Sequence, residues 1–368
     1  MARLLEKVKL LQGLLSGDTA YVGPFYVNVD ITHRCNLRCR WCRWHSPILS
    51  KPSEHKLPIR DFPLDVFRKM CGELKTMGTH MLLFVGAGEP LLHPNILDMI
   101  SAAKENGLGV TIYTNGTLLT ERRITSLIDT HVDSLRVSLW ATSSEDYAQQ
   151  HPDVAPSRFQ KIIDGLQLLL RLKTERGSRL PRIEFSHAIN RQSLRKLDGL
   201  VDLACATGCE KIVFSVVQAA EGGEDFKQFL LSPDEERLAC LSLDQVKRRL
   251  NSLSIQHNVE EVSLRYRLGE SGWKTTPCYA AWYYAFCRID GKVQPCQRCH
   301  MPMGDLRENS FQEIWNSRNY RHFRTQSVTY QGLAAMMDYC DCSFCPHIAR
   351  NEGIKRFFRW FSPFRMKR

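Results

Sequence analysis

Three thiols within fourteen residues carry the densest chemistry in the chain. The segment Asp30-Ile-Thr-His-Arg-Cys-Asn-Leu-Arg-Cys-Arg-Trp-Cys-Arg43 spaces Cys35, Cys39 and Cys42 by three and then two residues. That spacing lets all three point inward from one tight loop. Three thiolates on a four-iron cube leave one iron without a protein ligand. An open iron is a place where a small chelating cofactor binds. Zinc takes four protein ligands, or three and a water. The spacing suits it poorly, although His33 and His45 could complete such a set. Three unligated core thiols are the remaining alternative.

The elements around the loop must hold it. Residues 25–31, Phe-Tyr-Val-Asn-Val-Asp-Ile, read as a buried strand running into it. Further strands are expected at Met81–Val85, Gly109–Thr114, Ser134–Leu139, Ile183–Ile189 and Lys211–Val217. Helical stretches fall near 64–77, 95–106, 121–129, 157–176 and 193–207. Strand–helix alternation with near-continuous apolar strands predicts an α/β fold, a parallel sheet covered by helices. In parallel barrels the chemistry sits at the C-terminal ends of the strands. The thiol loop follows the first strand, Gly86-Ala-Gly-Glu-Pro-Leu-Leu-His-Pro94 the second, and Thr114-Asn-Gly-Thr-Leu-Leu119 the third. Val137-Ser-Leu-Trp140 follows the fourth, and His187-Ala-Ile-Asn190 ends the fifth.

The C-x3-C-x2-C spacing, with Trp41 just before the last cysteine, resembles the signature of the radical S-adenosylmethionine (SAM) superfamily. The resemblance implies a partial (β/α)6 TIM-like barrel. It implies a [4Fe-4S] cluster on Cys35, Cys39 and Cys42, with the amino and carboxylate groups of SAM on the open iron. One electron then cleaves SAM to methionine and a 5′-deoxyadenosyl radical, which takes a hydrogen atom from substrate. An electron donor such as flavodoxin or ferredoxin is implied with it. Gly86–Pro90 is similar to the Gly-Gly-Glu-Pro motif of the family, with Ala87 where the first glycine is usual. It therefore assigns Gly88, Glu89 and Pro90 to the SAM amino group. Asn115 belongs to a similar Thr-Asn-Gly turn. Ser138 would face the SAM ribose, with Trp140 where many relatives have Asp. His187 and Asn190 point into the barrel in this reading, and Asn190 is carried as a cofactor contact. Cys71, Cys205, Cys209 and Cys240 lack cluster spacing and are expected to be buried apolar fillers.

From Cys278 the chain changes character. Ala285–Ile289, Asp290-Gly291 and Lys292–Gln294 predict a β-hairpin on an Asp-Gly turn, returning Cys296 to Cys278. Ser310 and Glu313 predict a capped helix start. Cys340-Asp-Cys-Ser-Phe-Cys345 follows. The pattern Cys278, Gly291, Cys296 and the helix after it resemble the SPASM and twitch extensions of radical SAM enzymes. The resemblance implies one auxiliary [4Fe-4S] cluster on Cys278, Cys296, Cys342 and Cys345. Cys299 and Cys340 are reserves, Cys287 is the least suited, and structural zinc is the alternative. The expected divisions are an amphipathic helix in 1–24, the barrel in 25–220, a bridge in 221–277, the cysteine-rich module in 278–346 and a basic aromatic tail in 347–368. The bridge is read as a helix near 233–252 and a short strand, Val259–Tyr266.

The chain has 368 residues and a formal charge of +11, which permits an anionic partner without choosing one. No apolar run reaches a membrane span, and no signal peptide opens the chain. The expected location is the cytoplasm, where fourteen cysteines argue for metal or redox chemistry over structural disulfides. The tail suggests peripheral membrane contact; nucleic acid is not expected. Only 24 residues precede Phe25. That tilts the expected substrate toward a small molecule or sugar that is oxidised, epimerised or rearranged. A peptide-modifying maturase is the alternative, and a non-catalytic Fe–S or zinc protein the second.

Overall fold

The computed structural model describes residues 2–48, 61–217, 226–343 and 345–361. Six parallel strands are laid down in sequence order: β1 (Tyr26–Asp30), β2 (Met81–Val85), β3 (Gly109–Thr114), β4 (Ser134–Ser138), β5 (Arg182–Ile189) and β6 (Lys211–Val216). Between them run α2 (Leu64–Thr76), α3 (Ile96–Glu105), α4 (Glu121–Asp129), α5 (Ser144–Gln150), α6 (Ser157–Glu175) and α7 (Leu197–Ala206), with α1 (Ala2–Ser16) ahead of β1. Sequential order with helical crossovers is the barrel arrangement. The barrel stays partial: β1 does not meet β6 but pairs on its other side with β8 (Tyr284–Cys287).

That pairing joins the C-terminal module to the barrel. β1 is central, parallel to β2 with Val29 opposite Phe84, and parallel to β8 with Val29 opposite Cys287. Val27 and Val29 on one face and Asn28 and Asp30 on the other are all buried, as a strand covered on both faces requires. β9 (Lys292–Gln294) and β10 (Gly304–Asp305) continue the sheet antiparallel beyond β8. The expected hairpin forms, and Gly291 supplies the left-handed residue of its turn at φ 83°. At the far edge β7 (Gln256–His257) pairs with β6.

The segment read as a strand at 259–266 is instead a helix. After α8 (Pro233–Ser252), the chain forms α9 (Val259–Leu268). Val259, Val262 and Tyr266 are its buried apolar residues. Their spacing of three and four is the helical period, and it outweighed the local alternation that suggested a strand. The cysteine expectation also divides. Cys71 and Cys209 are buried, Cys240 is half-buried and Cys205 is exposed. Cys205 falls on the outer face of α7, whose buried residues are Leu197, Leu200, Val201 and Ala204.

Four short helices complete the module: α10 (Phe311–Trp315), α11 (Arg318–Ser327), α12 (Tyr330–Ala335) and α13 (Ile348–Phe361). Ser310 and Glu313 form the expected capping box. Arg324 is fully buried among the rings of Trp315, Tyr320 and Trp282. Its guanidinium donates to the carbonyls of Ala281, Trp315 and Asp18 and to Asn316 Oδ1, at 2.8–3.1 Å. It thus ties the N-terminal segment to the module. Replacing Arg324 with Met leaves those acceptors unpaired in a dry site. The expected loss is about 3 kcal/mol of stability, read as a lower urea midpoint with an unchanged slope.

Candidate active site

The thiol loop leaves the C-terminal end of β1 and is laced to the loop after β2. Gly88 N donates to Thr32 O at 2.9 Å and Glu89 N to Arg34 O at 2.7 Å. The contact admits no side chain at residue 88: a Cβ there would lie 2.2 Å from Arg34 O, which is backbone and cannot step aside. Gly88→Ala is therefore expected to push the thiol loop out of place. Reconstituted protein should lose most of the iron held by Cys35, Cys39 and Cys42 while keeping that of the C-terminal module. Metal analysis checks this.

Cys35, Cys39 and Cys42 line one cavity of about 360 Å³, together with Gly88, Glu89 and Pro90. Asn115 and Ser138, at the ends of β3 and β4, line it too. Burial pushes the Cys35 thiol up to about 11 and raises Cys39 and Cys42 as well. Each of Cys35 and Cys39 also feels the other two sites or their neighbours as negative charge. Backbone N–H groups offset this. Those of Trp44 and His45 point at Cys42 Sγ, 3.4 and 3.3 Å away, and Leu37 and Asn36 do the same for Cys35. A convergent thiol set with N–H donors aimed at sulfur is built to be deprotonated by a metal centre. His33 bonds Asp30 Oδ2 at 3.0 Å, and neither it nor His45 lines the cavity.

Glu89 is the buried acid of the site, 2 % exposed. Its carboxylate accepts from Thr114 Oγ1 (2.7 Å), Asn115 N (2.6 Å) and Leu91 N (3.1 Å). Burial dominates those bonds and lifts its pKa to about 6. Asn115 Nδ2 donates to Asn36 Oδ1 at 2.9 Å, so the β3 turn also braces the thiol loop. Asn190 is absent from the cavity lining. Its Oδ1 accepts from the backbone of Gln192 and Ser193, and its amide donates to Ala188 O, so it holds its own turn. His187 is buried against Leu139 O, and burial lowers its pKa to about 4.

The opposite wall was not read from the sequence. Trp140 lies flat against Trp41, with ring centroids 5.1 Å apart. Phe229 meets Trp41 edge-on. Tyr147, Gln150 and His151, on α5 and just after it, also line the cavity. Their spacing of three and four residues was the available signal, but α5 is only two turns long and lacks an apolar stripe.

The C-terminal thiols gather separately. Cys278, Cys296, Cys342 and Cys345 are half-buried, and the other three together raise the pKa of Cys278, while Cys345 also raises Cys296 and Cys342. Arg298 N lies 3.5 Å from Cys296 Sγ, and Arg265 and Arg298 place positive charge beside Cys345. Cys299 and Cys340, the reserves, are joined in a disulfide across a short antiparallel bridge. This corrects the expectation against disulfides: the pairing of residues 299 and 340, forty-one apart, is created by the fold. Cys287 faces Met70 and Cys71 beneath β1, a packing position. Among the described residues no three His, Cys, Asp or Glu side chains are grouped to hold a single metal ion.

Comparison with known proteins fits this arrangement. Residues 29–180 match the radical SAM superfamily, and residues 278–346 match an iron–sulfur cluster-binding domain. The chain is 24 % identical over 316 residues to an AdoMet-dependent heme synthase of Methanosarcina barkeri, covering 82 % of this chain and 85 % of that one. It is 24 % identical over 300 residues to a PqqA peptide cyclase of Granulibacter bethesdensis, covering 80 % and 74 %. The fold superposes on Streptococcus suis SuiB bound to precursor peptide SuiA with a TM-score of 0.66 at 16 % identity, over 92 % of this chain and 79 % of that one.

Proposed function

We propose that this chain, an enzyme with a radical SAM domain and a C-terminal iron–sulfur domain, modifies a peptide. The observation that carries the chemistry is the cavity lined by three convergent half-buried thiols and the buried carboxylate of Glu89. Cys35, Cys39 and Cys42 would hold a [4Fe-4S] cluster, and Cys278, Cys296, Cys342 and Cys345 an auxiliary one. When bound and reduced there, the first would supply the one-electron reduction that SAM cleavage needs, for hydrogen abstraction from a substrate C–H bond.

The chain's own residues prepare that event. Glu89, held in place by Thr114 and Asn115, would accept an N–H of the SAM amino group at the Cys35 side of the cavity. Gly88 lets the β2 loop approach the thiol loop. Trp41, Trp140 and Phe229 keep the interior dry, which protects a reactive intermediate from water. Four thiols on the auxiliary site leave no open iron, so an electron-transfer role suits it better than substrate chelation.

The peptide reading replaces the small-molecule expectation because relatives with peptide substrates match over most of the chain. The likeness to a heme synthase supports a non-peptide substrate as the second reading. The electron donor remains a small iron–sulfur or flavin protein in either case. Among the described residues no helix is long and apolar enough to cross a membrane. Of the tail, residues 362–368 lie outside the described residues; within α13, Phe358 contacts Tyr279 and Phe357 is exposed.

Deuterium transfer tests the substrate class. Reconstituted enzyme, SAM and dithionite are incubated anaerobically with extract of host cells grown in heavy water. Deuterium should enter 5′-deoxyadenosine, and protease treatment of the extract should abolish the transfer. Transfer that survives protease would establish the second reading.

A further inference from the structure

Among the described residues, the Tyr147 hydroxyl and Gln150 Oε1 in the cavity wall are buried without a partner. Tyr147 is 2 % exposed and Gln150 3 %, and both line the cavity. A folded chain seldom leaves such atoms dry and unmade, because desolvation is then uncompensated.

Neither side chain is loosely placed. Gln150 Nε2 donates to Trp140 O at 3.0 Å, which fixes the amide and turns Oε1 the other way. The Tyr147 ring is stacked on His151 at 4.0 Å, and His151 Nδ1 is bound to Tyr147 O at 2.9 Å. Helix α5 itself is anchored. Ser143 caps it, and Asp146 accepts from Thr142 Oγ1 at 2.9 Å and pairs with Lys196. Arg40 N donates to Gln150 O at 3.1 Å, so α5 is tied to the thiol loop. The two orphans are thus preorganised relative to the three thiols.

Their chemistry defines what they would bind. Gln150 Oε1 accepts only, so it needs an O–H or N–H. Tyr147 O–H gives one hydrogen bond and takes others. Both groups are neutral. The charged subsite, Glu89, neighbours Cys35, whereas the thiol felt most by Tyr147 is Cys39. A ligand filling the cavity therefore carries an amine at one end and neutral hydroxyl or amine donors at the other. S-adenosylmethionine has that layout. We propose that Tyr147 and Gln150 are positioning residues for the nucleoside end of SAM, bound through its hydroxyls or exocyclic amine. This rests on the functional reading above and adds two residues to its site.

The test uses reconstituted holoenzyme and titration calorimetry with S-adenosylhomocysteine, which is not cleaved, and separately with 5′-deoxyadenosine and methionine. Tyr147→Phe and Gln150→Leu should each weaken S-adenosylhomocysteine about tenfold. They should weaken 5′-deoxyadenosine alike and leave methionine unchanged. Ligand-free melting of Tyr147→Phe should stay level or rise, since it removes an unsatisfied polar atom; Gln150→Leu also gives up its bond to Trp140 O and should melt slightly lower with methionine binding kept. Wild-type affinity for S-adenosylhomocysteine in both variants would overturn the proposal. So would lowered ligand-free melting with methionine binding lost in parallel, which would make α5 a structural support. Failure of the wild-type protein itself to bind S-adenosylhomocysteine or SAM would instead sink the functional reading.

Discussion

Replacing Cys35, Cys39 and Cys42 with alanine should remove about four of about eight irons from anaerobically reconstituted protein. Formation of 5′-deoxyadenosine from SAM should fall below detection. The reason lies in the geometry of the two thiol sets. The first lines a cavity whose remaining wall is carboxylate, glycine and aromatic, with no fourth thiol among its lining residues. The second has four thiols that interact with one another, and none of them lines the first cavity. Loss at one should leave the other loaded. The reciprocal variant, Cys278 and Cys296 replaced with alanine, should lose the other four irons and retain the SAM-dependent EPR change of the first. Iron and sulfide analysis with Mössbauer spectra reads both. Four irons in the wild type with bound zinc would make the C-terminal module structural and remove the auxiliary electron path.

Glu89→Gln is expected to weaken SAM binding about a hundredfold, the effect of removing a buried charged acceptor from the amino N–H. Burial holds the free carboxylate at a pKa of about 6, above its ordinary 4.5. The sign follows from that direction. Without ligand, ionising Glu89 in the folded protein costs stability; the cost begins above the unfolded value of 4.5 and is complete above about 6. An amino N–H bound there favours the ionised form and draws the pKa down, so binding releases a proton where Glu89 is protonated. The pH profile of SAM affinity should therefore bend near 6, rising more steeply below it than above. In Glu89→Gln that bend should vanish. A wild-type profile with no bend between about pH 5 and 7 would show that Glu89 does not meet the amine.

Much of this molecule was legible because its signals are local. The thiol spacing, the glycine and acid after β2, the Asp-Gly turn and the Ser310 cap each lie within a few residues. So do the apolar strand runs, and all of these recur in the fold as read. Asn190 shows the limit of that method. It stands at the end of β5, where chemistry belongs, yet its amide is consumed by the turn it terminates. A residue's position in a barrel says which end it occupies, and only its hydrogen bonds say whether it is available. Helix α9 shows a second limit, since ten residues with mixed periods are decided by the surface they cover.

By itself the sequence determined the chemistry of the thiol loop, the parallel α/β architecture and the existence of a separate cysteine-rich module. Those follow from short-range spacing and from the two periods that strands and helices impose. The tertiary structure alone decided that β8 would lie beside β1, so that one sheet carries both thiol sets. It alone brought Trp140 onto Trp41, placed Tyr147 and Gln150 in the cavity wall, and joined Cys299 to Cys340. These are contacts between segments tens to hundreds of residues apart. They are selected by the burial of whole faces, and no local pattern in either partner encodes them.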